Sequence, residues 1–235
     1  MTTEKTNPNK TARIAGFMYL LLIPLGVLGI MYVPSTLFVP RDMAATASNI
    51  LANESLFRIS IVSALLIQLV TLAVVLLLYK LLSPVHKTMA RLMVIFILLG
   101  APIAMLNELT NAAILHLLTS GGQNSVDQPY ALMALFLELH RYGIQIAGIF
   151  WGLWLFPMGY LVFKSNYIPK IIGILLMIGC FGYLADSFIF FLLPDFGVSF
   201  AEFMFIGEVA LPLWLLIMGV NVERWEKRTR ELAQA

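Results

Sequence analysis

The chain has 235 residues, 60% of them hydrophobic and only 12% charged, about half the charged share of a soluble domain. Six apolar spans of about 20 residues each would consume roughly half of it and leave no room for a separate soluble catalytic or binding domain. The formal net charge of +2 carries little meaning by itself, and basic residues confined to short clusters with no supporting fold exclude a nucleic-acid-binding module.

In chain order, the first apolar run covers residues 14–33 without a charge, after Lys5, Lys10 and Arg13. It is longer than a secretory signal core, and Pro34-Ser35-Thr36 gives no small-x-small cleavage site, so a retained first helix is expected. Residues 34–55 form the longest connection. There, after Pro40, the stretch from Arg41 to Leu51 reads as a short helix lying across the membrane face, a connector or a lid. The runs 59–79 and 142–163 are also long and uncharged, whereas 92–106, 171–185 and 209–222 are too short to cross alone. Each short run must continue through the acid at one end, Glu108, Asp186 or Glu208. The expected spans are residues 13–33, 56–80, 90–118, 130–163, 170–192 and 200–222, in one integral membrane domain. After the sixth, residues 223–235 read as a mixed-charge helical tail with Trp225 anchoring it at the interface.

Twelve of the fifteen Lys and Arg residues fall before span one, between spans two and three, between spans four and five, and after span six. These are Lys5, Lys10 and Arg13, then Lys80, Lys87 and Arg91, then Lys164 and Lys170, then Arg224, Lys227, Arg228 and Arg230. The alternate connections hold only Arg41. Positive residues stay cytoplasmic, so this alternation predicts an all-α bundle of six crossings in the cell membrane with both termini cytoplasmic. The single cysteine, Cys180, lies inside the fifth run and defines no redox compartment.

Counted from the nearest basic landmark, Glu108, Asp186 and Glu208 each lie roughly 24–26 Å along a straight helix, in the outer quarter of a core about 30 Å thick. Arg58, Gln68, Asn107, Asn111, His116, Glu138, His140, Arg141 and Gln145 cluster near the same level, while the inner halves of the spans are nearly pure Leu, Ile, Val, Phe and Gly. The pattern predicts a cavity polar in its outer half, not a continuous aqueous pore, which would need polar lining at every depth. Pro24, Pro102, Pro157 and Pro212 kink four spans; Pro212 releases the Glu208 carbonyl. Gly148 and Gly152 form a small-xxx-small face suited to a close helix contact. The prolines do not fall in matching places in the two halves, so an inverted repeat is excluded.

Several segments carry a further likeness: Ala12-Arg13-Ile14-Ala15-Gly16, Tyr32-Val33-Pro34-Ser35, Leu139-His140-Arg141-Tyr142-Gly143, Phe150-Trp151-Gly152-Leu153-Trp154-Leu155-Phe156-Pro157 and Gly182-Tyr183-Leu184-Ala185-Asp186-Ser187-Phe188. In this order the chain resembles a mainly bacterial family of multi-pass membrane proteins catalogued as domain of unknown function 4386. The resemblance runs over nearly the whole chain. It implies a membrane protein without a soluble appendage, and it carries over no functional residue.

Three readings of the polar layer remain open. In the first, Arg58 and Arg141 neutralise two of Glu108, Glu138, Asp186 and Glu208, Asn111 and Gln145 complete hydrogen bonds, and the network only fixes helix packing. In the second, Glu108, Asn111, Glu138, Arg141, Gln145, Asp186, Glu208 and Arg58 bind or transport a lipid or small amphiphile, the acids holding an amine and the arginines a carboxylate or phosphate. In the third, His116 and His140 join the acids on zinc in an intramembrane hydrolase. Two histidines are a thin set, and no His-Glu-x-x-His or Gly-x-Ser-x-Gly occurs. No cofactor is expected; the expected partners are the bilayer and an amphiphile.

Overall fold

The structure, a computed structural model, describes residues 7–120, 129–193 and 196–234, with only the backbone described for Glu202, Phe203 and Ala233. Lys5 and most of the connection 119–129 lie outside these residues. Helix α1 (Pro8–Gly26) starts at Asn7, whose side chain accepts from the Asn9 and Lys10 amides at 3.0 and 3.4 Å, with Pro8 already holding a helical φ. Pro24 interrupts the hydrogen-bond ladder. Soon after it the helix widens into a π turn, Val27–Tyr32, before α2 (Val33–Leu37), making one rod of 30 residues.

The short helix expected after Pro40 is α3 (Met43–Ala52), capped by Asp42, which accepts the Ala45 amide at 2.8 Å. Four long helices follow: α4 (Glu54–Leu82), α5 (Lys87–Thr119), α6 (Pro129–Ser165) and α7 (Lys170–Leu192). Then come α8 (Ala201–Met204), α9 (Ile206–Ile217) and α10 (Val222–Gln234). Every regular element among the described residues is helical.

The long helices form a ring in chain order. Helix α1 packs on α4, α4 on α5, α5 on α6, α6 on α7, α7 on α9, and α9 closes the ring on α1. Large apolar side chains point outward all round it, among them Phe17, Leu69, Leu106, Leu139, Phe181 and Ile217. Such a surface is foreign to a soluble protein but suits lipid, where helices satisfy their own backbone. Five helices are long and apolar enough to cross a membrane, or six if the bent pair α9–α10 is counted as one span.

The sixth crossing differs from the straight helix expected over residues 200–222. Helix α9 starts only two residues before Glu208, and the chain turns at Gly219, with φ +68, so that α10 lies at 103° to α9. A left-handed φ favours glycine, and the charged sequence of α10 favours a surface position over a continued crossing.

Both described chain ends meet at one end of the bundle, where the Val220 amide donates to Asn9 Oδ1 at 2.8 Å. Nearby, the Leu81 carbonyl ending α4 accepts from Tyr167 at 2.8 Å and from Trp225 Nε1 at 2.9 Å, and Arg224 donates to the Asn166 carbonyl at 2.8 Å. Burial raises the Tyr167 hydroxyl above the usual phenol range and keeps it a neutral donor. The basic segments around Lys10, Lys80, Lys87, Lys164, Lys170 and Arg224 therefore share this end. It is filled by an apolar core including Val74, Leu78, Met93, Leu155, Met158 and Leu161. A second apolar cluster, with Leu37, Ile50, Phe57, Ile114 and Met133, binds α3 to the opposite end.

Glycines set the closest helix contacts. Gly148 meets Ser187, and Gly152 meets Tyr183 and Cys180, so the small-residue face of α6 is its contact with α7. A methyl group on Gly16 would stand 2.6 Å from the Pro212 carbonyl oxygen and 2.7 Å from the Leu216 nitrogen, both backbone atoms of α9. Gly16→Ala is therefore expected to cost about 1–3 kcal/mol by overpacking. Gly26→Ala, where nothing lies within 4 Å, should be neutral or slightly stabilising. Thermal unfolding of both variants in one detergent checks the pair, and equal melting temperatures would contradict the close α1–α9 contact.

Candidate functional site

Between the two apolar clusters the ring encloses a cavity of about 700 Å³, within the range of about 300–1,000 Å³ usual for small-ligand sites. Its walls are chiefly apolar, with Leu22, Ile30, Val33, Ile67, Ile97 and Ile144 among them. Polar groups enter at two levels.

The deeper level holds Glu208 on α9, Tyr19 on α1, Gln68 and Thr71 on α4, Trp151 and Trp154 on α6, and Tyr183 on α7. Glu208 precedes the end of α9 by nine residues, roughly 14 Å at 1.5 Å per residue, and so sits near mid-membrane. The outer-quarter depth inferred from Arg224 is corrected: that count assumed a straight helix through the turn at Gly219. Tyr19 donates to Glu208 Oε2 over 3.5 Å, a long bond, and Tyr183 is a second phenol beside the same carboxylate. Glu208 Oε1 is buried and has no hydrogen-bond partner among the described residues. Gln68 is only 5% exposed and lines the same cavity. An uncompensated buried polar group costs free energy, so Glu208 Oε1 marks the place where a ligand or water would be accommodated.

The upper level is built on α5 and α6. Glu108 is buried, accepts from Asn111 Nδ2 at 2.9 Å and faces His140 Nε2 at 4.0 Å. The Asn107 side-chain amide donates to the His140 carbonyl at 2.9 Å and lies 3.2 Å from His140 Nδ1, where Thr110 Oγ1 also approaches at 3.0 Å. At the rim, Arg141 pairs with Glu138 at 2.8 Å on one face of α6 and stacks over Phe190 at 5.0 Å.

Two of the three expected acids, Glu108 and Glu208, thus line one cavity at different depths. Asp186 does not line it. Its carboxylate turns to the connection after α7 and accepts from Ser199 Oγ at 2.7 Å and from the Phe200 and Ala201 amides at 2.6 and 2.9 Å. It caps α8, whose first amides would otherwise be orphaned inside the membrane. Of the expected pairings of Arg58 and Arg141 with Glu108, Glu138, Asp186 or Glu208, only that of Arg141 with Glu138 forms, and the rest are corrected. Arg58 binds Glu54 at 2.6 Å on the exposed first turn of α4, and Arg141 binds Glu138, each taking the nearest carboxylate of its own helix. The Gln145 carbonyl accepts from Ser187, and its side chain is not part of the wall. His116 is exposed near the end of α5 with Ser120 at 3.2 Å, away from His140. Among the described residues, no three His, Cys, Asp or Glu side chains come close enough to hold a metal ion. The residues that sequence reasoning passed over are Tyr19, Tyr183, Trp151 and Trp154. A tyrosine in mid-span was their available signal, but it reads as ordinary apolar content.

Among the described residues the ring is incomplete above Glu208. Helix α8 packs on α7, with Met204 and Ala201 against Gly182, and has no extended contact with α1 or α2. The upper cavity therefore lies between the π turn with α2 on one side and α6 with α7 on the other.

Ring, outward apolar surface and enclosed polar pocket define an all-α, multi-pass membrane protein. The chain belongs to the family described as "Domain of unknown function (DUF4386)", whose model matches residues 14–219. It is 33% identical over 160 residues to an "Uncharacterized protein" of Archaeoglobus fulgidus, a match covering 68% of this chain and 83% of that one. No solved structure matches.

Asp186→Asn should lower stability by about 1–3 kcal/mol, because the amide brings its own donors against the backbone donors of α8. Thermal unfolding in detergent measures this. An unchanged melting temperature would remove the capping role.

Proposed function

We propose that the chain binds a small amphiphile with a positively charged head in the central cavity. In this reading it sits in the cell membrane with both termini cytoplasmic. The observation that carries it is the composition of the cavity: Glu208 and Glu108 lie in an apolar enclosure whose described basic side chains are His140, facing Glu108 at 4.0 Å, and Arg141, already paired with Glu138 at the rim, so that none faces Glu208. A carboxylate in such surroundings favours a compensating positive charge. The aliphatic upper walls suit a hydrocarbon tail, and the gap above Glu208 gives it a way in from lipid. The orientation is supported by the basic segments gathered at one end of the bundle. For Asp186 the packing account holds instead, since its partners are all internal.

The test uses octylamine and octanol on protein purified in maltoside detergent. Octylamine should bind by calorimetry and octanol weakly or not at all. Glu208→Gln should weaken octylamine by about tenfold or more, the order expected from one lost charge-assisted contact. Equal binding of the two compounds would remove the cationic head from the reading. Reporter fusions after Ala235 test the orientation, with a cytoplasmic signal expected.

A further inference from the structure

The deep end of the cavity is poor in hydrogen-bond acceptors and rich in aromatic rings, and this separates two kinds of cation. A primary ammonium carries three N–H donors, each needing an acceptor once it leaves water. The deep end offers little to meet them. Tyr19 and Tyr183 turn their hydroxyls to Glu208, and Thr71 Oγ1 donates to the Ile67 carbonyl at 2.8 Å. The Gln68 oxygen and the Glu208 carboxylate remain. A quaternary ammonium donates no hydrogen bond, is weakly hydrated, and is held by ring faces and a nearby negative charge.

Those rings are present on three helices. Tyr19 and Trp154 stand 5.8 Å apart, centroid to centroid, tilted at 48°, so their faces are not stacked together. Trp151 lies one helical turn from Trp154 and lines the same cavity. Tyr183 comes against α6 because Gly152 has no side chain: a methyl group there would lie 2.7 Å from Tyr183 Cβ. Glu208 completes the group and Gln68 borders it.

We infer that Tyr19, Trp151, Trp154 and Tyr183 form an aromatic cage around Glu208 that selects a methylated, quaternary ammonium head over a primary amine. The inference rests on the cationic-amphiphile reading above and names its head group. The nitrogen sits at the deep level beside Glu208, and the chain runs past Ile30 and Ile144 toward the gap above α9.

The experiment compares octyltrimethylammonium with octylamine by calorimetry on the full chain in maltoside detergent. The wild type should bind octyltrimethylammonium roughly tenfold more tightly, the effect expected of a desolvated cation held by aromatic faces. Trp151→Leu should erase most of that preference, weakening octyltrimethylammonium far more than octylamine, and Trp151→Phe, which keeps a ring face, should restore part of it. Should Trp151→Leu not fold, the wild-type ratio and Trp151→Phe still decide. Octylamine binding as tightly as octyltrimethylammonium would overturn the cage and leave the cationic-amphiphile reading standing. Binding of neither compound would overturn both.

Discussion

Gly16 brings the backbones of α1 and α9 into contact, and the bundle's other features depend on that contact. With a side chain at this position the two helices would have to stand apart, and α9, only 12 residues long, could not close the ring. Lipid offers no hydrophobic force to hold a short helix in place, so close backbone approach and dispersion contact must do so. The same contact sets the register in which Tyr19 meets Glu208 and Asn9 meets the Val220 amide. A small residue thus positions both a buried carboxylate and the exit turn of the chain.

The two ends of the bundle are held differently. At the termini end the exposed carbonyls and amides of four elements satisfy one another: Leu81, Tyr167, Asn221 and Trp225 form a compact latch where the helices enter water. At the other end α3 is held chiefly by apolar contacts and by Thr46, which is fully buried and bonded to the Asp42 and Val39 backbone. Between them the cavity keeps its volume because the helices are braced at both extremes. That bracing lets a polar site exist in a membrane bundle without collapsing into its own hydrogen bonds.

The partition of basic residues and the charge-free runs made the helical bundle, the short α3 and the gathering of basic segments at one end legible in the sequence. Glu108 was legible too, because a 15-residue apolar run cannot cross a bilayer without continuing through it. The site was less so. Asp186 looked like Glu208 by spacing, since nothing local reveals that its partners, Ser199, Phe200 and Ala201, fold back from the next connection. The depth of Glu208 was misjudged because Gly219 gives no hint, before the turn is seen, that the helix stops there. Tyr19, Trp151, Trp154 and Tyr183 blend into apolar runs, and only the ring closure shows that they line one cavity with Glu208.

Asp186 and Glu208 show how backbone decides the work of an acid. Helix α9 begins at Ile206, so the crossing above it must be completed by non-helical chain and by α8. Amides in that chain need acceptors at membrane depth, and Asp186 supplies them with both carboxylate oxygens. Glu208 lies within α9, where amides are already bonded along the helix, and no backbone donor claims its Oε1. The break that absorbs one carboxylate therefore leaves the other available inside the cavity. A continuous sixth helix through residues 200–222 would have freed Asp186; the broken one ties that acid to the start of α8 and leaves Glu208 to the cavity.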